Sequence, residues 1–292
     1  MLWLADGLLK WLSRRSLRFL HAVGAFLGWC VWLLSPAYRR RLRANAALAG
    51  VSAADRRRAV AEAGRMTLEL ARLWLRPPGD PLADPVRWEG QEWIEQALAG
   101  SGGLLLLTPH LGSFEVAAQA YAQRYGARRP MTVLYRPARQ AWLRALEASA
   151  RERPGLACAP ATLSGVRQLM RALRQGQTVA LLPDQVPPQG QGVWAPFFGR
   201  DAYTMTLASR LARQTGATVL LGWCERLPQG QGYVARVSPL PQPLPDPDGQ
   251  DDEAWTLSAA TAINRAMEAL ILRCPGQYLW GYHRYKKPRA TP

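Results

Sequence analysis

Gly103-Leu104-Leu105-Leu106-Leu107-Thr108 is a short apolar run with glycines before it and Pro109 after it. A run this short, bounded by turn residues, reads as a buried strand rather than a helix. Met131–Tyr135, Thr178–Leu182 and Thr218–Trp223 have the same character, and helix-period stretches near 114–125, 139–152, 163–175 and 203–215 alternate with them. Such alternation predicts an α/β fold: a mixed, largely parallel sheet flanked by helices. A last helix is predicted over 252–273. The stretch 239–247 (PLPQPLPDP) reads as a loop, because repeated proline removes backbone donors and fixes φ.

Ahead of the first strand, residues 52–75 read as a long helix. It opens on the capping-box-like Ser52-Ala53-Ala54-Asp55, carries Ala59, Ala63, Met66, Leu70, Leu73 and Trp74 on one face, and stops at Pro77-Pro78-Gly79. Further upstream, Leu4, Leu8, Trp11 and Leu12 recur at helical spacing among Lys10, Arg14, Arg15 and Arg18, the pattern of an interface-seeking amphipathic helix. Phe19 to Tyr38 follows as an apolar run in which His21 is the only ionisable side chain before the terminal tyrosine. Residues 1–38 are therefore expected to form an N-terminal amphipathic or membrane-anchor segment and residues 39–292 the catalytic domain; the competing reading of the apolar run is a buried first helix of a soluble fold. The flanking arginines favour the cytoplasmic face. Trp29, Trp32 and Arg39-Arg40-Arg41 stand where a cleavable leader would need small residues.

The 292-residue chain has 37 Lys+Arg against 21 Asp+Glu, a net charge of +16, which calls for an anionic partner. Only Lys10, Lys286 and Lys287 are lysines; the arginine excess suits bidentate recognition of phosphate or carboxylate. Cys30, Cys158, Cys224 and Cys274 are scattered, with no C-x-x-C pair, so neither a zinc site nor a disulfide framework is expected.

His110 follows the first strand directly, in Thr108-Pro109-His110-Leu111-Gly112-Ser113-Phe114-Glu115, where a helix begins. Ligands of α/β sheets bind at the carboxyl ends of strands. A carboxylate one helical turn on, Glu115, is placed to hold one ring nitrogen, leaving the other to take a proton from a hydroxyl. The competing reading of this segment alone is a capping histidine beside a solvent-facing Glu.

Four more segments accompany it in order: Tyr135-Arg136-Pro137, Leu182-Pro183-Asp184-Gln185, Pro196-Phe197-Phe198-Gly199 with Arg200, and Gln277-Tyr278-Leu279-Trp280 with a basic-aromatic tail. Together they resemble the bacterial lipid A late acyltransferases of the lysophospholipid acyltransferase superfamily, over essentially the whole chain. The resemblance implies acyl transfer from an acyl carrier protein thioester to a hydroxyl of a Kdo-bearing lipid A precursor at the bacterial inner membrane, cytoplasmic face, beside anionic lipids. It implies His110 as general base and Glu115 as its partner. Arg136 and Asp184 fall in the blocks where a cation and an acid line the family's site. Read from the residues, Gln185 suits either donating to a carbonyl or closing the loop; Phe197, Phe198 and Arg200 suit an acyl chain and a phosphate, and Phe197 or Phe198 taken singly reads equally as a core aromatic at a loop. The commoner family form has a His two residues after the Trp; here that residue is Tyr282.

A thioester is already activated, so the reaction needs a deprotonated hydroxyl and a place for oxyanion charge; no cofactor and no metal are expected. A serine hydrolase is disfavoured because no G-x-S-x-G elbow is present. Gly100-Ser101-Gly102-Gly103 precedes a strand instead of following one, the wrong order for a nucleotide loop. A non-catalytic basic protein that coats membrane or nucleic acid is the alternative from another class. Dispersed arginines and the lack of any nucleic-acid motif argue against a nucleic-acid partner. Within the enzyme class, the alternative acceptor is another membrane lipid: a phosphatidylinositol mannoside, an ornithine lipid or a lysophospholipid.

Overall fold

The computed structural model describes residues 2–135, 140, 153–246 and 251–290. Four helices come first: α1 (Leu2–Ser13), α2 (Leu17–Leu34), α3 (Pro36–Leu48) and α4 (Ala53–Trp74). The apolar run expected to extend through Tyr38 is broken at Ser35-Pro36. Ser35 caps α3 by accepting the Tyr38 N–H, and Pro36 takes the first-turn position where its missing donor costs nothing. Ser52 caps α4 by accepting the Asp55 N–H, as its sequence predicts.

Then come β1 (Val86–Glu89), α5 (Gln91–Ala99), β2 (Leu104–Leu107), α6 (Phe114–Tyr125), β3 (Met131–Tyr135), β4 (Leu156–Pro160), α7 (Leu163–Arg174), β5 (Thr178–Leu181), β6 (Gly192–Phe197), β7 (Arg200–Met205), α8 (Leu207–Thr215), β8 (Thr218–Arg226), β9 (Tyr233–Pro239) and α9 (Asp252–Arg273). Seven strands form one sheet in the order β1-β9-β8-β2-β5-β3-β4. β8, β2, β5, β3 and β4 run parallel; β9 pairs antiparallel with β8, and β1 follows β9. The expected α/β architecture with a mixed, mostly parallel sheet flanked by helices is thus present.

The four leucines of β2 are buried, and alternation divides them between two cores. Leu105 and Leu107 pack with Val179, Leu181, α7, α8 and α9 on one face, whereas Leu104 and Leu106 pack with Ile94, Leu98, Tyr121 and Tyr125 on the other. A strand covered on both faces needs no polar alternation, so its sequence is a continuous apolar run.

Two expectations change. The helix predicted over 203–215 begins only at Leu207, because Tyr203, Thr204 and Met205 belong to β7, which pairs with β6 as a separate hairpin. Its turn is Phe198-Gly199, with φ of 49° and 74°, the two-residue geometry that suits the right-handed twist of a hairpin. The loop predicted over 239–247 starts one residue late, since Pro239 closes β9. The helix predicted near 139–152 lies outside the described residues except for Gln140.

α2 packs along α4 through glycines. A Cβ on Gly24 would stand 2.7 Å from the Gly64 carbonyl oxygen, so the two backbones touch. α2 is long and apolar enough by composition to cross a membrane. It buries Leu17, Leu20 and His21 against the protein and leaves Phe26, Val31, Leu33 and Leu34 exposed.

Candidate active site

β2 and β5 are parallel neighbours in register, Leu107 opposite Leu181. Each chain then turns at the carboxyl end of its strand, and the third residue beyond the register pair is His110 on one and Asp184 on the other. Their side chains meet. Asp184 Oδ1 lies 2.7 Å from His110 Nδ1, and Asp184 Oδ2 accepts the His110 backbone N–H at 2.9 Å. Asp184 is buried. Burial alone would raise its carboxyl pKa, but the electrostatic attraction of the neighbouring His110 and these hydrogen bonds prevail and hold it below the ordinary value.

A carboxylate only accepts, so His110 Nδ1 carries the proton that faces Asp184, and in the neutral ring Nε2 holds the lone pair. Gln185 Nε2, 3.0 Å away, donates to that lone pair. The ring is further placed by Phe114, whose centroid lies 5.0 Å away.

The loop that carries His110 is held from behind. Gly112 has φ of 61°, and a Cβ there would fall 2.0 Å from the Cys224 carbonyl oxygen. Its N–H donates to the Gln277 carbonyl at 3.1 Å and the Ser113 N–H to the Cys224 carbonyl at 2.8 Å. Ser113 Oγ donates to Glu69 at 2.6 Å. Glu69 also receives Arg226 through Nε (2.8 Å) and Nη2 (2.6 Å), and Tyr233 OH at 3.1 Å; His21 Nε2 of α2 lies 3.2 Å away. Arg226 reaches Glu62 at 2.9 Å and the Gly112 carbonyl at 3.2 Å. Burial would raise the Glu69 carboxyl, yet Arg226 beside it and the hydrogen bonds hold it at about 2. Glu62 and Glu69 lie far in sequence from Arg226 and Tyr233, and none of these four falls in the motif segments.

His110 opens into a cavity of about 620 Å³. Its walls are mostly apolar, with Ala118, Val133, Leu156, Val166, Leu181 and Met205 among them, and Glu115, Gln119 and Gln185 are polar exceptions. Gln119 Nε2 is buried with no hydrogen-bond partner among the described residues, although its Oε1 accepts from Arg76 at 2.6 Å. An acidic-residue-oriented base at the mouth of an apolar cavity suits chemistry on a long-chain substrate.

A model of the bacterial lipid A biosynthesis acyltransferases matches residues 1–287. The chain belongs to that family. It is 28% identical over 211 residues to the lipid A biosynthesis lauroyltransferase of Escherichia coli K12, covering 70% of this chain and 65% of that protein. It is 27% identical over 199 residues to the palmitoleoyltransferase of the same organism, covering 68% and 60% respectively. The match thus spans 60–65% of the length of these relatives. Acyltransferase 2 of Shigella flexneri matches at 24% over 285 residues, 95% of this chain and 87% of that protein.

In this lipid A acyltransferase family member, the residues singled out from sequence divide into two groups. His110, Asp184 and Gln185 are in contact, and Glu115 lines the same cavity. The carboxylate on His110 Nδ1 is that of Asp184, the residue expected only as a lining acid. Glu115 lies in the first turn of α6 with Trp74 Nε1 3.5 Å from its Oε2. Phe197, Phe198 and Arg200 lie instead on the β6–β7 hairpin. Phe197 is buried under the guanidinium of Arg284 at 4.9 Å, Phe198 packs on Trp280, and Arg200 covers the ring of Tyr285 at 4.9 Å. Arg136 lies outside the described residues. Tyr282 is tied to the site: its hydroxyl accepts the Val186 N–H at 3.0 Å, beside Gln185.

Proposed function

We propose that this protein transfers a fatty acyl chain from an acyl carrier protein thioester to a hydroxyl of a Kdo-bearing lipid A precursor, at the cytoplasmic face of the bacterial inner membrane. The observation that carries the reading is the His110–Asp184 pair opening into an apolar cavity in a member of this family.

His110 Nε2 takes the proton of the acceptor hydroxyl as its oxygen bonds to the thioester carbonyl carbon. Asp184 fixes the tautomer that leaves Nε2 basic and stabilises the imidazolium that forms. Gln185 gives up its bond to Nε2 when the hydroxyl arrives and turns its N–H groups toward the carbonyl oxygen, where negative charge gathers. The tetrahedral intermediate collapses by breaking the carbon–sulfur bond, and the imidazolium returns its proton to the leaving thiolate. Glu115, on the cavity wall, holds the acceptor. Arg136 and Arg200 pair with its anionic groups, and Phe197 and Phe198 support the loops around the acyl chain.

The exposed face of α2, with Arg14, Arg18, Arg40 and Arg43 exposed around it, rests on anionic inner-membrane lipid. α2 lies in the interface plane, because its Gly24 and His21 face is committed to α4.

The test is mass spectrometry of lipid products after incubating the purified protein with a mixed pool of acyl-acyl carrier proteins and the tetraacylated Kdo-lipid A precursor. The reading expects one added acyl chain with the wild type and none with a folded His110→Ala variant. Equal product from His110→Ala would remove the mechanism, and no product from the wild type would remove the acceptor.

A further inference from the structure

The cavity mouth is framed by two helices whose outward faces the reaction above does not use. α7 supplies Leu163 and Val166 to the cavity wall from its first turn, and α8 supplies Leu207 and Arg210. Beyond the mouth, α7 presents Arg167, Arg171 and Arg174, all exposed at i, i+4 and i+7 along one stripe. Neither helix contains a single Asp or Glu. Arg171 and Arg174 suit the carboxyl-terminal turn of the helix, while the three like charges together leave a strongly cationic stripe with no acidic neighbour on either helix. Arg213 of α8 is answered within the protein, by Asp252 at 2.7 Å. Arg167, Arg171, Arg174 and Arg210 make no ion pair among the described residues.

We infer that the α7–α8 face is the docking surface for the acidic acyl carrier protein that delivers the acyl thioester; the inference rests on the acyl transfer proposed above. Two observations select such a partner over a lipid surface. The exposed faces of α7 and α8 carry no aromatic side chain and one exposed large apolar residue, Leu163 at the cavity rim. The apolar and aromatic groups that insert into lipid belong to α1 and α2, where Trp11, Phe19, Phe26, Leu33 and Leu34 are exposed. A face that is cationic without being greasy attracts an acidic protein through long-range steering and releases it readily after transfer. Leu163 and Arg210 line the same cavity as His110, so that cavity is the route for a thioester arm from a protein docked on this face.

The experiment compares the wild type with Arg167→Glu/Arg171→Glu/Arg174→Glu and, as a milder variant, the same three positions changed to Gln. Three quantities are measured: equilibrium binding of an acyl-acyl carrier protein, steady-state transfer from it, and transfer from the small thioester acyl-pantetheine. The expected result is binding weakened, and KM for the carrier-bound donor raised, by about tenfold or more, with kcat and use of acyl-pantetheine within about twofold. The Gln variant falls between, and the salt dependence of KM shrinks in both. Unchanged binding and KM in a folded Glu variant would overturn the proposal, as would loss of anionic-vesicle binding in place of carrier binding. If the wild type binds the carrier through these arginines but transfers nothing, the docking surface stands and the proposed reaction falls.

Discussion

Glu69 is a carboxylate without access to water, and a charge in that position persists only when it is paired and fully hydrogen-bonded. Arg226, Ser113 and Tyr233 donate to it, and through Ser113 it holds the loop that carries His110. Its pKa falls from the usual 4.5 to about 2 on folding. A depressed folded value means that the protonated form is the less stable one in the native state. The contribution to stability is therefore present above pH 4.5 and is lost as pH falls toward 2. Glu69→Ala, which removes the paired carboxylate from buried Arg226 and leaves it Glu62 alone, is expected to cost about 3 kcal/mol at pH 7 in denaturant unfolding. The gap between variant and wild type should narrow steadily as pH is lowered from 5 to 2. An unchanged unfolding midpoint at pH 7 would show that the Glu69–Arg226 pair is not stabilising. Nothing in the sequence marks this residue: Glu69 occupies the helical stripe beside Leu70 and Leu73, and its partners Arg226 and Tyr233 are more than a hundred residues away on β8 and β9.

Among the elements, α2 shows how much a hydropathy pattern leaves open. Its apolar content was legible as an interface-seeking or membrane-anchoring segment, but the same leucines and phenylalanines fit a buried helix equally well. What separates the readings is which face packs on protein. Gly24 and Gly28 let α2 approach α4 closely, and His21 lies within hydrogen-bond distance of Glu69, so that face belongs to the core. Phe26, Leu33 and Leu34 face outward, at 67%, 62% and 83% exposure. Replacing these three by Glu is expected to weaken binding to vesicles containing anionic lipid by at least about tenfold in a flotation assay, since each loses buried apolar area and gains a repelled charge. Retained flotation in the folded variant would place the membrane contact elsewhere. The β6–β7 hairpin was less legible than α2 for a related reason. Phe198-Gly199 lacks the Asn or Asp that usually announces a two-residue hairpin, and Tyr203-Thr204-Met205 fits either period.

At the scale of the whole molecule, the sheet was readable because β2 and β5 are buried on both faces and so appear as short apolar runs, and because β8 opens on the apolar stretch Val219 to Trp223. The edge pair β1 and β9 was not, because Val86-Arg87-Trp88-Glu89 is half exposed and Tyr233 to Pro239 carries Arg236, which pairs with Glu89 and Glu225. His110 and Asp184 were each visible as residues following a strand, yet their contact depends on strand order. Equal three-residue offsets become informative only when β2 and β5 are known to be parallel neighbours in register. Without that order, the nearer carboxylate, Glu115, is the natural partner to choose. The measurement that decides between them is kcat for acyl transfer by Asp184→Asn and Glu115→Gln beside the wild type, at saturating donor and acceptor. Asp184→Asn is expected to lower kcat by about 10²–10⁴-fold with the donor KM unchanged, because an amide can donate to Nδ1 and stabilise the tautomer whose Nε2 is no longer basic. A folded Asp184→Asn enzyme with kcat near that of the wild type would contradict the account.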